Sequence, residues 1–186
     1  MALLELVILG LVGLIVLFVI FLIMVYNNLI TLKNRVDNAW SQIDVQLKRR
    51  YDLIPNLVET VKGYAKHEKE TLQEVTKYRA QLVTGSPEQK AKANNMITDA
   101  LKSLFSVAEN YPQLKANENF KMLQEELSGT ENKLSFVRTA YNDNVLAYNT
   151  GMQMFPNNII AGMLNFIQKP YFDAPELERQ NVKVKF

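Results

Sequence analysis

Three consecutive basic residues, Lys48-Arg49-Arg50, run directly into Tyr51 and Asp52, and the single tryptophan, Trp40, precedes them. Arg and aromatic side chains dominate the energetics of protein interfaces, so Trp40, Arg49, Arg50, Tyr51 and Asp52 form a candidate partner-binding patch. The competing readings are a solvated face for the basic run and core packing for Trp40. On a continuous helix the run would sit about 33 Å beyond a bilayer edge at Tyr26, well past a Debye length of ~8 Å, which argues against a lipid-binding role. Arg49→Glu together with Arg50→Glu is expected to abolish partner capture with helicity retained.

Acid-base chemistry has one weak foothold. Glu125, Glu126, Glu131 and Arg138 share a long helical stretch, and paired acids can exchange protons, but salt bridging in solvent is the simpler role. The single histidine, His67, has no second His at position 71 and has Tyr64 where a di-iron bundle places Glu, so neither helical metal motif is met. The chain has no cysteine, which removes disulfides, thiolate ligands, a Cys nucleophile and an N-terminal lipidated cysteine. It lacks the Gly-rich phosphate loops and the Gly-x-Ser-x-Gly elbow. The expectation is a protein that is not an enzyme and carries no cofactor, metal or catalytic residue. Asn132, Asn142, Asn144 and Asn149 lie on or beside an apolar seam, where buried amides fix register.

The elements that position these residues are helical. Seven Gly and six Pro in 186 residues leave little turn chemistry for a many-stranded fold. The formal charge of +2 is too small for a nucleic-acid footprint. That charge is unevenly spread, because residues 1–32 hold only Glu5. From Leu6 to Tyr26 every residue is apolar or Gly, and at ~1.5 Å per residue such a helix covers about 31 Å, a bilayer's hydrocarbon thickness. A cleaved signal peptide would want a basic start and a small-residue cleavage site, both missing here. A buried soluble helix is rarely apolar on every face. Lys33 and Arg35 follow the span and no basic side chain precedes it, so the positive-inside rule places the N-terminus outside and the domain in the cytoplasm.

Past the span, Leu29, Leu32, Val36, Ala39, Ile43, Leu47, Ile54, Val58 and Val61 keep three- and four-residue spacing, which predicts that the membrane helix continues into the domain, rigidly coupled to it. Pro55 predicts a kink or short break. Further helices are expected at about 67–84, at 87–111 after the Ser86-Pro87-Glu88 start signal, and at 117–153, where the apolar spacing is nearly a heptad seam. A short helix over 157–166 and an extended tail over 167–186 complete the chain. Val182, Val184 and Phe186 alternate with polar residues, a pattern that permits strand addition to a partner, although a loosely packed terminus is the simpler reading. The architecture expected is all-α: an antiparallel up-down four-helix bundle over 27–166, with residues 1–26 as anchor.

The stretches AWSQIDVQLKRRYDLIPNLVETVKGYAKHE from Ala39, AENYPQLKANENFKMLQEELSGTENKL from Ala108, YNDNVLAYNTGMQMFPNNIIAG and PYFDA resemble the LemA family of bacterial membrane-anchored proteins. The resemblance implies a single-pass N-terminal helix and an antiparallel four-helix bundle, with no accepted catalytic site, cofactor or ligand. Relatives in that family include a magnetosome membrane protein, and some members are encoded beside membrane metalloproteases, which points to envelope organisation or quality control. Some carry a lipidated cysteine that this chain lacks. The expected function is a membrane-anchored, non-enzymatic scaffold or adaptor of the cell envelope; the alternative is a small-ligand sensor or regulator of a membrane protease or other envelope protein. Partners are then the lipid bilayer through residues 6–26 and an envelope or membrane protein, without nucleic acid, and self-association is left open.

Overall fold

The computed structural model describes residues 1–65 and 68–172. These form six helices: α1 (Ala2–Tyr64), α2 (Lys69–Gln81), α3 (Pro87–Ala108), α4 (Pro112–Ala116), α5 (Glu118–Gln153) and α6 (Asn157–Met163). There is no strand among the described residues. His67 and residues 173–186, including the alternating C-terminal pattern, lie outside them.

The chain divides into two compact units. One comprises Met1–Asn38 and Asp143–Lys169; the other comprises Ala39–Asn142 and the chain from Pro170. In the first unit none of the most apolar stretch of α1 is buried, so this helix is a candidate membrane span. Val25, Leu29 and Val36 of α1 are buried, as are Val145, Tyr148 and Met152 of α5 and Ile160 and Ala161 of α6. Gly151 lets α5 approach α1: a methyl group there would stand 2.9 Å from Leu32 Cδ1.

In the second unit the core is built from stripes at helical spacing: Ile43, Leu47, Ile54, Leu57 and Val61 of α1, Val75 of α2, Ile97 and Leu104 of α3, and Phe120, Leu127 and Leu134 of α5. Each fully buried aliphatic side chain contributes about 1.5–3 kcal/mol relative to exposure. Helix α3 starts where its caps dictate, with the Ser86 hydroxyl accepting from Gln89 N–H and the Gln89 side chain accepting from Ser86 N–H. Gly85, at φ +95°, supplies the left-handed residue that the preceding turn needs. The helix ends at Ala108, earlier than the 111 read from the sequence, and Pro112 opens α4 because its missing N–H is no loss in a first turn. Asn117 starts α5, its Oδ1 accepting the Phe120 N–H at 3.0 Å.

Pro55 does not break α1. Proline cannot donate to the carbonyl four residues back, which here belongs to Tyr51. Arg79 Nε of α2 donates to that oxygen at 2.8 Å, and the Arg79 guanidinium lies 3.8 Å from the centroid of the Tyr51 ring. The carbonyl that Pro55 leaves without its usual donor is thus served by another helix.

Candidate functional site

Successive helical residues point about 100° apart, so Lys48, Arg49 and Arg50 cannot share a face. Arg49 and Arg50 separate accordingly. Arg50 falls in the buried stripe between Leu47 and Ile54, and its side chain is 2% exposed. Its Nη1 donates to Asn94 Oδ1 at 2.5 Å and to Thr98 Oγ1 at 3.0 Å, both on α3, and stands 2.5 Å from Glu131 Oε2 on α5. Thr98 Oγ1 is 3.2 Å from the same Glu131 oxygen and 3.0 Å from the Asn94 carbonyl. Burial lowers the Arg50 pKa from its usual value, while the Glu131 charge and hydrogen bond raise it. One guanidinium thus ties α1 to α3 and α5. Nε of Arg50 and Nδ2 of Asn94 have no hydrogen-bond partner among the described residues.

The other residues singled out in the sequence occupy different settings. Arg49 is 46% exposed and pairs with Glu126 of α5, and Asp52 pairs with Lys48 one turn away, also on the surface. Tyr51 is half-buried beneath Arg79, with Lys48 Nζ 4.8 Å from its ring centroid. Trp40 packs edge-on against Tyr141 and in a tilted arrangement against Phe172, at centroid distances of 5.5 and 6.3 Å. Arg138 lies 5.8 Å from the Phe172 ring centroid. Trp40 is therefore part of an aromatic cluster with two buried rings, and Arg50 is an internal tie. Arg49 and Asp52 are the members of the patch that face solvent.

A second arrangement was not anticipated. The dipeptide Tyr-Asn at 141–142 recurs one heptad later at 148–149, and both of these copies grip a non-helical stretch of backbone. In one unit Tyr141 donates to the Pro170 carbonyl at 2.8 Å, while Asn142 both donates to the Phe172 carbonyl and accepts the Phe172 N–H. In the other, Tyr148 donates to the Ile167 carbonyl at 3.1 Å, and Asn149 pairs with both the carbonyl and the N–H of Lys169 at 2.9 Å. A carboxamide that pairs with both polar groups of one residue imitates a neighbouring strand. Burial raises the Tyr148 pKa, and the Asp37 charge adds to this. Asn149→Ala should orphan both polar groups of Lys169 and cost about 1–2 kcal/mol. Faster amide exchange at Lys169, with little change in exchange along α3, would register that loss.

Among the described residues no three His, Cys, Asp or Glu side chains gather into a metal site. The Glu131 carboxylate is occupied by Arg50 and Thr98, an arrangement suited to holding helices together. Fold and site together define, among the described residues, an all-helical protein with one candidate N-terminal membrane span and an internal Arg–Glu tie. The chain belongs to the LemA family, whose model matches residues 39–186. It is 30% identical over 161 residues to "Protein LemA" of Metamycoplasma hominis, covering 84% of this chain and 72% of that one. It is also 25% identical over 177 residues to the magnetosome proteins MamQ 1 and MamQ 2 of Paramagnetospirillum magneticum, covering 81% of this chain and 65% of theirs. None of these names states a catalytic activity.

Proposed function

We propose that the protein is a membrane-anchored, non-enzymatic scaffold or adaptor of the bacterial cell envelope. The observation that carries this reading is α1 itself: one helix, Ala2–Tyr64, holds both the exposed apolar run and a stripe buried in a helical core. In this reading residues 6–26 cross the membrane once, and Lys33 and Arg35 keep the domain in the cytoplasm with the N-terminus outside. The helices α1, α2, α3 and α5 form an antiparallel up-down four-helix bundle, with near-heptad packing along α5. The surface offered to an envelope or membrane protein centres on Arg49, Asp52 and the edge of Tyr51, whereas Arg50 acts from inside and Trp40 through its aromatic neighbours.

A photo-reactive residue in place of Arg49 in living cells, with protease added to intact spheroplasts, tests this reading. The expected result is a discrete protein adduct, lost on Asp52→Lys, with the domain protected from external protease. The absence of an adduct would remove the partner site, and digestion from outside would reverse the topology.

A second reading, a small-ligand sensor or regulator of an envelope protein, draws on a cleft of about 230 Å³ lined by Arg50, Thr98, Leu127, Glu131 and Asn132, where Arg50 Nε has no hydrogen-bond partner among the described residues. That cleft is smaller than the ~300–1,000 Å³ of typical ligand sites, whereas one of about 460 Å³, lined by Tyr26, Ile30, Tyr148 and Phe166, falls within that range.

A further inference from the structure

The unit containing the candidate span holds a second stretch that carries no charge. Asn144 to Gln168 is free of Asp, Glu, Lys, Arg and His, as is Leu6 to Leu32. Charge-free runs of this length are unexpected in a chain in which 22% of residues are charged. The second run includes the end of α5, all of α6 and the chain that follows.

Its apolar side chains do not all turn inward. Ile160 and Ala161 of α6 are buried, but Ile159 and Met163, one turn apart on the other side, are 55% and 77% exposed. Phe155 before the helix and Ile167 after it are 80% and 78% exposed. Exposed apolar residues gathered within such a short stretch mark a surface that meets something other than water.

The helix contacts fix the level of this corner. Lys169, held by Asn149 of α5, pairs with Asp37 of α1, and Gly151 lies against Leu32 Cδ1, so α5 descends as α1 ascends. Leu32 is six residues past Tyr26, about 9 Å along the helix axis, and the two residues of α5 after Gly151 recover about a third of that distance before the chain turns into α6. The Tyr26 ring then meets Phe166 edge-on at 6.4 Å. The corner therefore lies level with the end of the apolar run, where a bilayer's hydrocarbon gives way to its headgroups. Aromatic rings such as Tyr26 settle at that depth. An interfacial helix buries its apolar face about 5–10 Å into the same boundary.

We propose that the α5–α6 corner, residues 154–167, is a second membrane contact, inserting Phe155, Ile159, Met163 and Ile167 into the interfacial layer of the bilayer that α1 spans. The occupant is lipid because the surface continues the membrane-facing surface of α1 and has no charged group of its own. The inference rests on residues 6–26 crossing that bilayer.

The lack of cysteine makes the test direct. Ile159→Cys, Met163→Cys, Met24→Cys and Met122→Cys variants of the full chain, each with one environment-sensitive fluorophore, are placed in phosphatidylcholine vesicles at high dilution. Met24 lies within the apolar run, and Met122 is an exposed methionine at the start of α5. The expected result is that labels at 24, 159 and 163 are quenched by brominated lipid and shielded from aqueous iodide, while the label at 122 behaves oppositely. Quenching at 24 with iodide access at 159 and 163 would overturn the inference and leave the span intact. Shielding of 159 and 163 from both quenchers would assign the face to a protein or a second copy, and would also overturn it. No lipid quenching at 24 would remove the span and the inference together.

Discussion

Arg50→Ala should lower the stability of the folded chain by about 3 kcal/mol, the lower end of the cost of removing one partner from a buried ion pair. The lower end applies because the Glu131 side chain, at 28% exposed, can recover some hydration, whereas Asn94 Oδ1 cannot. Arg49→Ala, one residue away, removes a pair whose members are 46% and 44% exposed and should cost less than about 1 kcal/mol. Denaturant titration of the full chain in mild detergent, followed by helical circular dichroism, separates the two. Equal losses would mean that Arg50 is not the internal tie described here. The contrast also bears on partner capture: Arg49→Glu probes the surface, while Arg50→Glu would place a second carboxylate beside Glu131 and unfold what it was meant to test.

Arg79→Ala should cost about 2–3 kcal/mol, combining a charge-assisted hydrogen bond to the Tyr51 carbonyl with stacking on the Tyr51 ring. The cause lies in another helix, because Pro55 leaves that carbonyl without its usual donor. In Pro55→Ala the backbone N–H returns, and the same Arg79→Ala change should then cost only about 1 kcal/mol, the stacking share. The double-mutant cycle reports a coupling between residues 55 and 79 that their spacing alone would not suggest. Additive losses would show that Arg79 acts independently of the proline.

The sequence disclosed the helices more readily than their polar ties. Ser86-Pro87-Glu88 and the three- and four-residue apolar spacing are local signals, and the observed helices follow them. Arg50 was legible in principle, because Leu47, Arg50 and Ile54 continue the buried spacing; grouping it with Lys48 and Arg49 as a run hid that phase. The roles of Asn142 and Asn149 were less accessible. Their seam position suggested amides fixing helix register, but their partners are the backbone groups of Lys169 and Phe172, which any residue would supply. The first residues of the expected tail, 167–172, are held by α5. For the same reason the donor that rescues Pro55 left no mark in the spacing, since the carbonyl it serves belongs to every peptide.

The length of α1 also sets an order of events during synthesis. Arg49 meets a partner 77 positions downstream, and Leu47, Ile54 and Val61 share their core with α5. At about 5–20 residues per second, the stretch between Arg49 and its partner takes about 4–15 s to make. Until α5 emerges the nascent helix presents an apolar stripe that α2 and α3 cover only in part, while its N-terminal run is already competent to enter a membrane. Chaperone occupancy on ribosomes stalled before α5 should therefore be high, and should fall once residues up to about 140 have emerged.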